Sequence, residues 1–298
     1  MNLRIVVATV VAVSALASGC SVIELSSEQE EEAYLLQVAQ AEAPWLAAID
    51  RFDRTLGGNY STRRAFVGAI GDAGLAQGAR DSLAAADSLT PPHTMATDHE
   101  HWLAFRKSVD GVAPELTNAA MSGEVLNTLA VRRTLGEAEA DFLLSIGRTF
   151  CLHLSAVDPA ADCPPDESLP GGEYGRATFE ALREYAIRVG PLFITSSAFD
   201  QGQRTQYLAE VQPGIVVLLS DTGDRLNRLS PPPEFAEDHH ALLGYFDDQY
   251  VIAVEITDAN AIGDQDRVAE LYDRFAQHLD ELQAALSEAA RPIVNPAF

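Results

Sequence analysis

Leu89-Thr90-Pro91-Pro92, followed by Asp98-His99 and Trp102-Leu103, returns 140 residues on as Leu229-Ser230-Pro231-Pro232, Asp238-His239 and Leu242-Leu243. The register then holds without a gap through Ala113/Ala253, Glu115/Glu255, Thr117/Thr257, Ala119/Ala259 and Gly123/Gly263. From Leu89 to Glu124, 12 of 36 residues are identical to their partners, so the sequence reads as an internal duplication. A chain of 298 residues divides into two units of ordinary domain size, and 47% hydrophobic residues are enough for a core in each.

Both sides of the repeated stretch carry helical spacing. Upstream, Tyr34, Val38, Ala41, Trp45, Ile49 and Phe52 recur at three and four residues until Gly57-Gly58 stops them. Asn59-Tyr60-Ser61 then opens a second helix that runs through Phe66, Ile70, Leu75 and Leu83 to Leu89. Thr90 and Ser230 are suited to cap a third helix, with Pro91 and Pro231 at its first position, where no amide donor is needed. Met95, His99, Trp102, Leu103 and Val109 form its apolar face; Phe235, His239, Leu242 and Leu243 form the counterpart. Gly123 and Gly263 end these helices. The fourth pair matches at Val131/Leu271, Leu135/Phe275, Phe142/Leu282 and Ile146/Leu286, a near-heptad seam that suits a four-helix bundle. Pro191 and Pro213-Gly214 are expected to kink or break two helices of the second unit. The fold class is therefore all-α, two tandem antiparallel four-helix bundles.

The N-terminus reads as an address. Arg4 precedes an apolar run from Ile5 to Leu16, too short for a membrane-spanning helix of about 20 residues. The run ends Leu16-Ala17-Ser18-Gly19-Cys20, which resembles the lipobox of bacterial lipoproteins, with Ala17 where Leu is commoner. That resemblance implies cleavage before Cys20, acylation of its thiol and an extracytoplasmic, lipid-anchored place in the cell envelope. Such an anchor makes the bilayer a partner, and it holds firmly only with more than one chain. The expected organisation is a signal peptide over 1–19, a tether over 20–25, bundles over 26–155 and 174–290, a linker over 156–173 and a tail over 291–298. With its acidic, arginine-rich helical chain, the protein also resembles all-helical envelope lipoproteins of high-GC bacteria, a group that implies no known activity.

Export makes the remaining cysteines, Cys151 and Cys163, a candidate disulfide that clips the linker. Two thiolates with only His153 nearby fall short of four metal ligands. The formal charge is −24, from 44 acidic and 20 basic residues, and Lys107 is the only basic residue that is not Arg. No basic face is available for nucleic acid, so nucleic acid is excluded as a partner.

Catalytic chemistry finds no constellation. There is no Gly-x-Ser-x-Gly elbow, no phosphate loop before a helix and no activated cysteine. The candidate ligands are the duplicated His99 and His239, and His278. The first two read mainly as imidazoles bonded to a backbone carbonyl or carboxylate, with Asp98 and Asp238 solvated or paired with Arg. Glu237 to His240 and Asp98 to His101 have the spacing of di-metal bundle sites, but not at equivalent positions, and no facing carboxylates complete a shell. His278-Leu279-Asp280-Glu281 resembles the His-x-x-Glu of imelysin-like iron-uptake proteins; that motif's preceding Gly is Ala276 here. No cofactor, resident metal or enzymatic activity is expected. A binding module for an envelope protein or small ligand is the leading reading; a metal-binding or ferritin-like redox protein is the alternative.

Overall fold

The computed structural model describes residues 26–56, 63–122, 125–154, 163–165, 168–193 and 201–294. The signal peptide, Cys20, Gly123, most of the linker and residues 295–298 lie outside the described residues. Among the described residues every regular element is helical and none is a strand.

The first half contains α1 (Ser27–Leu56), α2 (Arg63–Ala73), α3 (Leu75–Asp87), α4 (Ala96–Ser122), α5 (Val125–Ser145) and α6 (Arg148–Leu154). The second contains α7 (Glu173–Val189), α8 (Gln201–Asn227), α9 (Ala236–Ile262), α10 (Gln265–Ala285) and α11 (Arg291–Val294). In the first half α3 packs on α1 and α4, and α4 on α5; in the second α8 packs on α7 and α9, and α9 on α10. The short helices α6 and α11 each fold back on the first helix of their own half.

The spacing that predicts the helices also fills the cores. Val38, Ala48 and Phe52 of α1 meet Trp102 and Val109 of α4 and Leu135 of α5 in one buried cluster. A second cluster joins Leu182 of α7, Leu219 of α8, Phe246 of α9 and Leu282 of α10. The two halves touch directly: Leu129 of α5 belongs to the second cluster, and Arg183 of α7 donates to the Leu143 carbonyl at 2.5 Å.

The repeated corner departs from the expected cap. Pro92 and Pro232 are extended, at φ −57, ψ 152 and φ −60, ψ 153, and neither gives a side-chain cap bond. A single 3-10 turn, His93–Met95 or Pro233–Phe235, leads into α4 or α9. The reason is the second proline: a residue before Pro is sterically kept out of the helical region, so Pro91 and Pro231 cannot start the helix. Met95 and Phe235, each 4% exposed, are the apolar anchors of the turn.

Three other expectations change. The second helix is not continuous: Gly74, at φ 69, separates α2 from α3 in a left-handed conformation open to glycine. Pro213 does not break α8, which runs through it, whereas Pro191 falls in the 3-10 turn Gly190–Phe193 that ends α7. The packed fold also extends past Ala290, because Ile293 and Val294, each 1% exposed, are part of the second core. Cys151 and Cys163 are bonded with Cα atoms 5.4 Å apart, as expected.

Candidate functional site

The duplicated histidines come first, because the structure gives each the same surroundings. His99 is 8% exposed and His239 7%. His99 Nδ1 shares a hydrogen bond with Tyr34 Oη at 2.7 Å, and His239 Nδ1 with Tyr174 Oη at 3.1 Å. The expected carbonyl or carboxylate partner is thus replaced by a phenol, which reaches across from the first helix of the same half. Burial is why a phenol suits: a neutral hydroxyl satisfies a neutral imidazole without bringing charge into the core. Tyr34 and Tyr174 also stand 140 residues apart, a signal that reading the repeat upstream of Leu89 would have found.

Asp98 and Asp238 bond the turns after α5 and α10 rather than an Arg; Asp98 is half-buried and Asp238 buried. Asp98 Oδ1 accepts from Gly147 N at 2.9 Å; Asp238 accepts from Ser287 N and Ser287 Oγ, each at 2.7 Å. Each Asp-His dipeptide is therefore a clasp: the carboxylate holds the turn after the fourth helix, and the imidazole holds the first helix. This occupies Nδ1 of each imidazole, Oδ1 of Asp98 and both carboxylate oxygens of Asp238.

Burial lowers the pKa of both His99 and His239; nearby Asp87 and Glu100 partly oppose this at His99, while His240 adds to it at His239. A folded-state pKa below the unfolded value of about 6.5 means the unfolded chain takes up the proton first. The contribution to stability is complete above that value and is lost as pH falls through it. Urea midpoints are accordingly expected to fall from pH 7 to pH 5. A His99→Gln/His239→Gln variant should show a shallower decline, and an identical decline would contradict the role given to the pair.

His278 stands elsewhere, on α10 facing α9. Its Nδ1 is buried without a hydrogen-bond partner, and the nearest carboxylate oxygen, Asp248 Oδ2, is 4.0 Å away. With Tyr245, Asp248 and Glu281 it borders a pocket of about 220 Å³. Of the two histidines with di-metal spacing, His101 bonds the Ser145 carbonyl at 3.0 Å and His240 is exposed. Among the described residues no group of three or more His, Cys, Asp or Glu side chains is placed to hold a metal ion.

A buried ion pair was not expected at all. Glu42 of α1 and Arg106 of α4, 6% and 1% exposed, lie with Glu42 Oε1 3.2 Å from Arg106 Nε. Trp102 Nε1 donates to the same carboxylate, and the guanidinium lies over the Phe105 and Trp45 rings at 4.4 and 5.4 Å. Burial pushes the Glu42 carboxyl up and the Arg106 guanidinium down, each partly offset by the other's charge. The signal was present: Val38, Glu42, Trp45 and Ile49 share one seam, as do Trp102, Arg106 and Val109.

A concavity that could take a ligand is a groove of about 580 Å³ where α5 of the first half meets α7 and α8 of the second. Its apolar wall is Leu192, Pro213, Val217 and Leu218, with Val217 56% exposed. Its polar rim is Glu137, Asp141 and Arg188. Arg188 donates to Asp141 at 3.1 Å and to Glu184 at 3.2 Å. Burial alone would raise Glu184, but hydrogen bonds from Arg225 and Arg188 hold its carboxyl below the usual value.

The first half shows why this space is open. There, α3 lies so close to α1 that a Cβ on Gly78 would stand 2.7 Å from both Ala48 Cβ and the Pro44 carbonyl. The residues 140 positions on are Leu218, Arg188 and Glu184. Side chains of that size cannot pack backbone to backbone, so α7 and α8 pack less closely than α1 and α3.

Comparison with known proteins finds no matching family model, no matching curated protein and no matching solved structure.

Proposed function

We propose that this chain is a lipid-anchored, extracytoplasmic binding protein without catalytic activity, in which two duplicated four-helix bundles hold a ligand groove at their junction. The observation that carries the binding reading is the groove itself: an apolar wall with an exposed Val217, in the size range of small-molecule sites. The duplication is supported by contacts that recur in register. Besides the two Tyr–His bonds, Thr117 Oγ1 donates to Ala113 O and Thr257 Oγ1 to Ala253 O, at 2.9 and 3.0 Å. The disulfide suits an oxidising compartment.

The anchor rests on the N-terminal sequence alone. Cleavage before Cys20 would remove Arg4 and take the net charge from −24 to −25, which opposes rather than favours contact with an anionic bilayer. Among the described residues no helix is long and apolar enough to cross a membrane. Cys20→Ser is expected to block acylation and leave the bundles folded. The variant should then be released in soluble form or stay tethered by its uncleaved signal, as fractionation with circular dichroism would report. A variant that still acquires acyl mass would refute the assignment of that residue.

For the groove, Gly214 offers a direct test. A Cβ there would meet only Leu192 Cδ1, at an ordinary 3.7 Å, so Gly214→Phe can enter the groove without a clash at its root. An environment-sensitive apolar dye should bind the native chain and not this variant. Equal dye binding by both would remove the groove as the site.

The alternative reading is a metal-binding or ferritin-like redox protein using bundle histidines. Among the described residues, His278 Nδ1 is a buried ring nitrogen without a hydrogen-bond partner, and His278 borders a pocket. Elemental analysis separates the classes: stoichiometric iron, zinc or copper in purified protein would favour the metal reading.

A further inference from the structure

We infer that the groove between the halves selects small amphiphiles that carry a positive charge, an alkyl or aryl ammonium head on an apolar body; this rests on the groove being a binding site at all. The apolar body has its surface in Leu192, Pro213, Val217 and Leu218. What decides the head group is the state of the charges on the rim. Arg188 is the only cation among the lining residues, and it is already engaged by Asp141 and Glu184. Those two bonds use part of its five-donor fork, and the two carboxylates offset its charge and repel a carboxylate or phosphate head. A second cation near the site, Arg225, is also held by Glu184.

The rim carboxylates are placed the other way. Asp141 and Glu137 have side chains 70% and 57% exposed, so each has room for a further donor or cation besides Arg188 and Arg133, its respective partner at 3.1 and 3.5 Å. An ammonium over them keeps its own hydration on the outer side and avoids the desolvation cost of a buried charge. The field of the whole chain acts in the same direction, because a net charge of −24 concentrates cations and repels anions. The first half, where Gly78 closes the corresponding space, offers no second copy of this site.

The test uses the full chain in lipid nanodiscs, with empty nanodiscs as reference, and three probes of equal chain length: octyltrimethylammonium, octanol and octanesulfonate. The ammonium is expected to bind at one site, about fivefold more tightly than octanol, the scale of one or two exposed ionic contacts; the sulfonate should bind more weakly than octanol. Gly214→Phe, which leaves every charge in place, should abolish the saturable site for all three. Glu137→Gln/Asp141→Asn should bring the ammonium to the octanol value with octanol itself unchanged. That pair is exposed, so it tests the charge preference even if Gly214→Phe lowers the melting temperature. Octanol or octanesulfonate binding as tightly as the ammonium at a site lost in Gly214→Phe would overturn the head-group assignment and leave the groove standing. Binding of no probe, or binding unaffected by a folded Gly214→Phe, would overturn the groove reading as well.

Discussion

Glu42→Leu is expected to cost about 3–5 kcal/mol of folding stability, although it adds an apolar side chain to a core. The loss comes from what is left behind. Arg106 is 1% exposed, and without Glu42 its charge is left with aromatic faces, a weak bond to Ser82 Oγ at 3.4 Å and the charge of Glu139. Trp102 Nε1 loses its acceptor too. The second half shows how the same positions are filled without charge. Glu42, Trp102 and Arg106 correspond to Leu182, Leu242 and Phe246, all buried to 1% exposure or less. The double variant Glu42→Leu/Arg106→Phe should therefore recover most of the loss, since two apolar groups replace a desolvated pair. Urea denaturation of the single and double variants measures this directly. A double variant as unstable as the single would mean that the unpaired charge is not the source of the cost.

The second large effect is expected at the disulfide. Replacing both Cys151 and Cys163 with Ala should cost about 2–4 kcal/mol, the usual scale for a short closed loop. Both cysteines are fully buried in the first core, and Arg148 beside Cys151 donates to the Pro164 carbonyl beside Cys163. The clip therefore ties Cys163 to α6, which packs on α1, and its loss should loosen α6 while leaving the second half intact. Hydrogen exchange should show faster opening confined to α6 and the adjoining end of α1. Uniform acceleration through α9 and α10 would contradict a local role.

The helices were legible in the sequence because burial imposes a period, and the seams along α5 and α10 show this: Leu135, Phe142, Ile146, Leu271, Leu282 and Leu286 are buried, while Val131 and Phe275 are half-buried. Thr90 and Pro91 show the limit. A cap rule applied to single residues misses that Pro91 is itself followed by Pro92, and the steric rule of the second proline wins. Gly74 was silent for a different reason: its repeat partner Gly214 lies inside an unbroken helix, so only packing against α1 distinguishes them.

The site was less legible than the fold. His99 and His239 were visible as a pair, but their partners sit 65 residues upstream, on another helix. Glu42 and Arg106 were each on an apolar seam, and two opposite charges on facing seams are a readable signal that periodicity alone passes over. The groove could not be read at all. It arises from the difference between the halves, Gly78 against Leu218 and Ala48 against Arg188, whereas a repeat draws attention to what is shared.

The proposed lipid on Cys20 would hold this helical protein at a membrane, with its groove outside the cytoplasm. The mass of the N-terminal peptide, taken from protein extracted from membranes with detergent, tests it most directly. The expected peptide begins at Cys20 and carries the added mass of a diacylglyceryl group, with or without a further amide-linked chain. A membrane-extracted protein whose N-terminal peptide begins elsewhere, or whose Cys20 carries no acyl mass, would contradict it.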